Sequence, residues 1–315
     1  MVKQKVFGMN RKEIDPLITV VTITRNRCEL LSRAMASVLT QSYTNIEYII
    51  IDGASTDNTE DVVRSFKDDR VRYIKQKENI LSEMNELIIK NSSGEYFAFL
   101  DDDDEYFANK ISKQYQMIKD TPEKIGLVYC WMDYYNSKDN KLIKEHHPTI
   151  EGNVYSNQIE KQSIGGTPTL LVKREAFIKN GGWNMTLNHP SDWEMLTRFS
   201  RLYGVKCLPE VLVKVNINHQ YERQSTHHLT RKKIEIIIRF HKYYLTEFAD
   251  GFKNNPQKRH THLFCIAGYY ARLGELKKFI SYSVKSFKSG SYKDRINDMP
   301  FFLKRLLRCI LFKML

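Results

Sequence analysis

Cysteine is scarce and scattered. The five residues, Cys28, Cys130, Cys207, Cys265 and Cys309, include no Cys-x-x-Cys pair, which argues against a zinc site built on thiolates. Their odd number fits reduced, buried thiols in a cytoplasmic protein. Long apolar runs are missing too. Nowhere do about 18 apolar residues follow one another, so no transmembrane helix is expected. Residues 1–15 are polar and lack the apolar stretch of a signal peptide, and the expected location is the cytoplasm. With 14 glycines and 8 prolines in 315 residues, collagen-like, mucin-like and disordered sequence are excluded. No useful internal repeat is visible.

What is present is ordinary globular sequence, 42% hydrophobic and 27% charged, long enough for a catalytic domain with an appendage. The net charge of +12 is unevenly placed. Residues 231–315 hold 19 Lys or Arg against 6 Asp or Glu, whereas residues 1–230 hold 30 against 31. A balanced front and a basic tail suggest two modules, about 1–225 and 226–315.

The front alternates strand and helix signals. Ile18–Thr24 is a β-branched run apolar on both faces, which predicts a buried parallel strand. A polar break at Arg25-Asn26-Arg27 leads to a helix over Cys28–Leu39. Tyr48–Ile51, Val71–Lys75 and Tyr96–Leu100 read as further strands, with helices between them. Asp57-Asn58-Thr59-Glu60 reads as a capping box. This order predicts an α/β fold with a mostly parallel sheet flanked by helices. Ligands of such sheets sit beyond the carboxyl ends of the strands, where Thr24-Arg25-Asn26, Asp52 and the run Asp101–Asp104 should converge. Later strands are expected over 126–131, 169–172 and 205–215, with a helix over 191–203. From about 228 the pattern is helical, broken near Asn254-Asn255-Pro256 and bent at Leu273-Gly274.

Four carboxylates at one strand end repel one another unless a cation neutralises them, and carboxylates favour hard divalent ions that keep positions open for phosphate oxygens. The chain here resembles the family 2 glycosyltransferases of the GT-A (Rossmann-like) fold. The resemblance is carried by Thr19–Arg27, by Ile50-Ile51-Asp52-Gly53-Ala54-Ser55-Thr56-Asp57, and by Gly94–Asp104. A fourth stretch joins Gly181-Gly182-Trp183 to Ser191–Leu196. Together they span roughly residues 17–225, with a nucleotide-binding half over about 17–104 and an acceptor half over about 105–225.

The resemblance implies an inverting transfer of a sugar, expected from a UDP-sugar, to a glycan or lipid-linked glycan. Asp52 would hydrogen-bond the nucleotide base, with Thr24, Arg25 and Asn26 lining the pocket. Asp103 would be the main ligand of Mn²⁺ or Mg²⁺, with Asp101 on the ribose or the metal and Asp102 in the variable position between them. Asn85 and Arg223 are further candidates for donor contacts, and His219 a lesser one. Asp192 would be the general base. Independently of the resemblance, Ser191-x-x-Glu194 fits a capping box that would occupy Glu194, leaving Asp192 ionised at the positive end of a helix dipole. Trp183 and Trp193 are candidates for stacking on sugars or for core packing.

In the tail, Pro300 is expected to start a helix that runs to Leu315 with Lys304, Arg305 and Arg308 on one side. Such a helix suits peripheral contact with an anionic membrane, on the inner face of the plasma membrane, or packing on protein; homo-oligomerisation is left open. No nucleic-acid motif is present. Two alternatives compete: a sugar-nucleotide pyrophosphorylase, disfavoured by the glycine-free turn Arg25-Asn26-Arg27, and a non-enzymatic protein binding membrane or nucleic acid through its basic tail.

Overall fold

The computed structural model describes residues 15–187, 191–221 and 230–311. Its first half runs β1 (Ile18–Thr24), α1 (Cys28–Leu39), β2 (Ile46–Asp52), α2 (Thr59–Ser65), β3 (Val71–Lys75), α3 (Met84–Asn91) and β4 (Tyr96–Phe99). The four strands are parallel in the order β3-β2-β1-β4. Side chains alternate between the two faces, as the pleat requires. Val20, Ile50 and Ala98 face Leu31, Met35 and Val38 of α1. Val21, Ile49, Phe97 and Phe99 enter a second cluster with Ile88 of α3. Both faces are therefore covered, which is why these strands read as continuous apolar runs. Thr24 pairs with Asp52, and Val21 with Phe99, so their polar exit loops leave one edge of the sheet.

The second half adds β5 (Glu105–Tyr106), α4 (Lys110–Ile118), β6 (Ile125–Asn136), β7 (Leu142–His146), α5 (Tyr155–Gln158), β8 (Leu170–Lys173), α6 (Arg174–Lys179), α7 (Ser191–Leu202) and β9 (Gly204–Ile217). The sheet continues β4-β8-β6-β9-β5, with β7 on β6. Because β8 is antiparallel to β4 and β6, residues just before β8 lie at the crevice edge. β6 and β9 run parallel to each other, so the end of β9 arrives there too. β6 and β9 exceed their expected lengths because they pair along nearly their whole course, through register shifts. β7 was not expected; it is an exposed strand without an apolar pattern.

The expected capping box at 57–60 does not form. Asp57 instead accepts bonds from the Thr59 N–H (3.1 Å) and hydroxyl, while Glu60 is taken by Arg64, 2.8 Å away.

The C-terminal region is helical: α8 (Arg231–Glu247), α9 (Ala249–Asn254), α10 (Arg259–Arg272), α11 (Leu276–Ser289) and α12 (Tyr292–Leu311). The break at Asn255-Pro256 and the bend at Gly274, with φ +73°, fall where the sequence placed them. The last helix does not begin at Pro300. Ser291 and Asp294 make a reciprocal cap, Asp294 accepting from the Ser291 N–H (2.8 Å) and the Ser291 hydroxyl accepting from the Asp294 N–H (3.2 Å); Pro300 lies within the helix. One side of α12 also packs on protein, with Phe301 on Phe264 and Phe302 on Phe279 and Phe287. No helix among the described residues is long and apolar enough to cross a membrane.

These helices dock through an aromatic cluster. Phe240, Tyr244, Phe248 and Phe252 close over Ile159 and the ring of Trp193. His262 stacks on Tyr244 and Trp193, with its Nε2 2.7 Å from the Ile159 carbonyl and its Nδ1 3.0 Å from Nδ1 of His241. Burial pushes the His262 imidazolium down from 6.5 to about 4, although the Ile159 carbonyl opposes the shift.

Between those values the unfolded chain binds the proton and the native one does not. Stability contributed by neutral His262 is thus full above 6.5 and lost on acidification toward 4, by about 3 kcal/mol. Urea unfolding of His262→Gln should show a correspondingly shallower loss between pH 7 and 4 than the unaltered chain. Equal slopes would assign the acid sensitivity elsewhere.

Candidate active site

At the crevice edge the loops after β1 and β2 are tied to each other. The Asn26 N–H donates to Ser55 Oγ (2.8 Å), and Asn26 Oδ1 accepts from the Thr56 N–H (2.7 Å). Asn26 and Ala54 both have positive φ, +53° and +60°. Asn tolerates that region, whereas Ala there costs about 1–2 kcal/mol. Asp52 is fully buried. Its Oδ1 accepts from the Ser55 N–H (2.8 Å) and its Oδ2 from the Tyr73 hydroxyl (2.5 Å), so it sets the shape of the turn. Arg25 is exposed beside it.

The four acids diverge in role. Asp102 turns inward, accepting from the Thr24 hydroxyl (2.8 Å) and from Arg27 Nη1 (2.9 Å). Burial raises its carboxyl above the usual range, with Arg27 opposing the shift. Burial disfavours the Arg27 charge, but Asp102, Asp103 and Asp101 more than restore it. Asp104 accepts from the Asn216 N–H (3.0 Å), and the Asn216 amide donates to the Asp103 carbonyl (3.0 Å), fixing the acidic loop to β9. His219 Nε2 sits 3.0 Å from Asp103 Oδ2. Asp101 is exposed.

Asp101, Asp103 and Asp104 each offer an oxygen within 4.8 Å of the others. Hard anionic oxygens so grouped fit a divalent ion such as Mn²⁺ or Mg²⁺. Asp102, engaged by Thr24 and Arg27, pins the loop behind that group.

Asp192 reaches the same edge. An added Cβ on Gly166, just before β8, would lie 3.9 Å from its Oδ2, and Gln162 donates to that oxygen (3.2 Å). Its Oδ1 accepts from the Trp193 N–H (2.8 Å), in the first turn of α7. The expected capping role of Glu194 is not found. Glu194 is fully buried and bound at both oxygens by Arg198 (2.6 and 2.8 Å), with the Tyr243 hydroxyl donating as well (3.0 Å). A charge-assisted bidentate pair outcompetes a backbone cap. The result still separates the two acids: Glu194 is neutralised, and Asp192 borders the crevice.

The two candidate tryptophans pack against aromatic neighbours, and Trp183 also borders an open cleft. Trp183 lies against Phe99 and Phe177, and Trp193 donates from Nε1 to the Gln158 carbonyl (2.7 Å). Asn85 uses both ends of its amide on the glycine turn, donating to the Trp183 carbonyl (2.7 Å) and accepting from the Trp183 N–H (3.1 Å). Gly182, with φ +63°, has no room for a Cβ, which would come 2.5 Å from Asn85 Oδ1. Ser82, Asn85, Asn184, Thr186, Arg198 and Tyr243 line an open cleft of about 420 Å³ beside this turn. Arg223 lies outside the described residues. Tyr73, Gln162 and Tyr243 carry no signal in the sequence; Arg27 carries one only as a cation in a loop predicted to face four acids.

Residues 19–181 match the model of glycosyl transferase family 2. The chain belongs to that family. It is 33% identical over 277 residues to the Escherichia coli UDP-Glc:alpha-D-GlcNAc-diphosphoundecaprenol beta-1,3-glucosyltransferase WfaP, covering 85% of this chain and 98% of that one. Among solved structures, S. aureus TarS 1–349 in complex with UDP-GlcNAc superposes with TM-score 0.66 at 14% identity, over 93% of this chain and 88% of that one. The Pyrobaculum calidifontis mannosyltransferase PcManGT, solved with GDP-Man and Mn²⁺, gives TM-score 0.50 at 15% identity, over 95% and 87%. The family 2 chain is thus a glycosyltransferase with the GT-A fold.

Asn85→Ala should lower the unfolding free energy by about 1–3 kcal/mol, because it leaves the buried turn groups unsatisfied. Nucleotide affinity should change little. A calorimetric titration showing a large loss of nucleotide binding with unchanged stability would return Asn85 to the donor contacts.

Proposed function

We propose that this glycosyltransferase inverts the anomeric centre of a UDP-sugar, transferring the sugar to a hydroxyl of a glycan or lipid-linked glycan. The observation that carries the reading is Asp192 at the start of α7, at the sheet edge where the acidic run ends. The named activity of the E. coli relative, from UDP-Glc to a GlcNAc-diphosphoundecaprenol, supports the donor and acceptor classes.

In this reading Asp192 Oδ2 takes the proton of the acceptor hydroxyl as its oxygen bonds the anomeric carbon. The bond from that carbon to the diphosphate oxygen breaks on the opposite face, and the electron pair leaves with the nucleotide. The helix dipole favours the carboxylate form of Asp192, and Gln162 fixes its orientation. Asp103 and Asp101, with Asp104 close enough to join them, would hold Mn²⁺ or Mg²⁺, which when bound supplies positive charge for the departing diphosphate. Arg27 holds Asp102 inward and contributes positive charge 3.6 Å from Asp103. Full burial of Asp52 argues that it acts through the Gly53–Ser55 turn, on which the base would rest between Arg25 and Asn26.

Thermal stability measured against a panel of nucleotides and sugar nucleotides, with and without Mn²⁺, should rise with UDP or a UDP-sugar only when metal is present. A flat response to the whole panel would refute the donor assignment. Asp192→Asn should retain that nucleotide response and lose transfer by roughly a hundredfold or more; turnover near the unaltered rate would remove Asp192 as the base.

A further inference from the structure

Helices α11 and α12 expose apolar side chains that the transfer reaction does not use. Twelve large hydrophobic residues are prominently exposed among the described residues, and six of them, Ile280, Val284, Ile296, Met299, Phe301 and Leu303, fall on these two helices, at 36–54% exposure. Their spacing is helical. Ile280 and Val284 form one stripe on α11 between exposed Lys277 and Lys288. Ile296, Met299, Pro300 and Leu303 form another on α12, with exposed Lys293 one turn before it and Lys304 beside its far end. The helices are neighbours, joined where Phe302 meets Phe279 and Phe287 at ring distances of 5.1 and 5.5 Å. Residues 276–311 hold nine Lys or Arg against two Asp or Glu.

We propose that α11 and α12 together form a docking surface for an anionic bilayer. Apolar stripes with lysines at their margins match the depth profile of a membrane interface. The aliphatic side chains enter the acyl boundary while the long basic stems keep their ammonium groups among the phosphates. The strong positive balance argues for an anionic lipid surface over a second copy of this equally basic face, which would repel it. The inner side of α12 stays packed on α10 and α11, so docking needs no unfolding. The proposal rests on this surface alone and is independent of the donor, the acceptor and the base.

The test is sedimentation of the full chain with vesicles of phosphatidylcholine, with or without phosphatidylglycerol. Binding should appear with phosphatidylglycerol and weaken as salt rises. Ile296→Asp/Leu303→Asp on α12 and Ile280→Asp/Val284→Asp on α11 should each reduce the bound fraction by roughly tenfold, with unchanged melting temperature and UDP response. Absence of binding to the anionic vesicles would overturn the proposal. So would a loss confined to the α12 variant, or a concentration-dependent dimer, seen by ultracentrifugation, that the same substitutions abolish.

Discussion

Like-charge repulsion at the end of β4 is the constraint around which the crevice is organised. Carboxylate oxygens within 4.8 Å of one another repel by roughly 3 kcal/mol per ionised pair at an effective dielectric constant near 20. Several such pairs would consume much of the roughly 5–15 kcal/mol by which a domain is stable. The chain answers by giving the acids different partners. Asp102 is drawn down onto Thr24 and Arg27, Asp104 is held by the backbone of Asn216, and Asp103 faces His219 and, farther off, Arg27. These partners come from the β1 loop and the end of β9. Neutralising the acids is therefore the same act as closing the crevice between the two halves of the sheet.

The start of α7 repeats the solution on a smaller scale. Asp192 and Glu194 are two residues apart and would compete for any cation near them. Arg198 binds both oxygens of Glu194 and at the same time donates to the carbonyls of Asn180 and Gly182. The glycine turn, the buried acid and the start of the helix are thus tied into one hydrogen-bonded unit. In the proposed role of base, Asp192 would gain from such preorganisation, because a small misplacement of a catalytic group costs much of its effect.

The parallel half was legible because nothing competes with its signal. Ile18–Thr24, Ile46–Asp52 and Tyr96–Phe99 are buried on both faces, so their composition alone identifies them. The place of the acidic run was legible because four consecutive acids directly after a buried strand mark a loop at the sheet edge. Capping patterns were a poor guide. Asp57-x-x-Glu60 and Ser191-x-x-Glu194 satisfy the pattern, yet in each the Glu is captured by an Arg four residues later, a local partner that a backbone pattern does not count. At Ser291-x-x-Asp294 no such Arg follows at that spacing, and the box forms. β7 and the full lengths of β6 and β9 depend on pairing between segments distant in sequence, which no local window records.

Tyr243 and Trp193 join the basic C-terminal helices to α7. The basic helices read as a separate module because their charge differs, but charge lies on the surface and the docking face is aromatic. That face covers α5 and α7, placing Tyr243 on Glu194, Tyr244 on Thr197 and the Tyr244–His262 pair on Trp193. Trp193 and Glu194 directly follow Asp192 in the chain, so the freedom of Asp192 is set on one side by Gln162 and on the other by helices contributed some fifty residues later. Removing those helices would uncover Trp193 and deprive Glu194 of one of its donors. The C-terminal region is, in physical terms, the outer wall of the helix that carries Asp192.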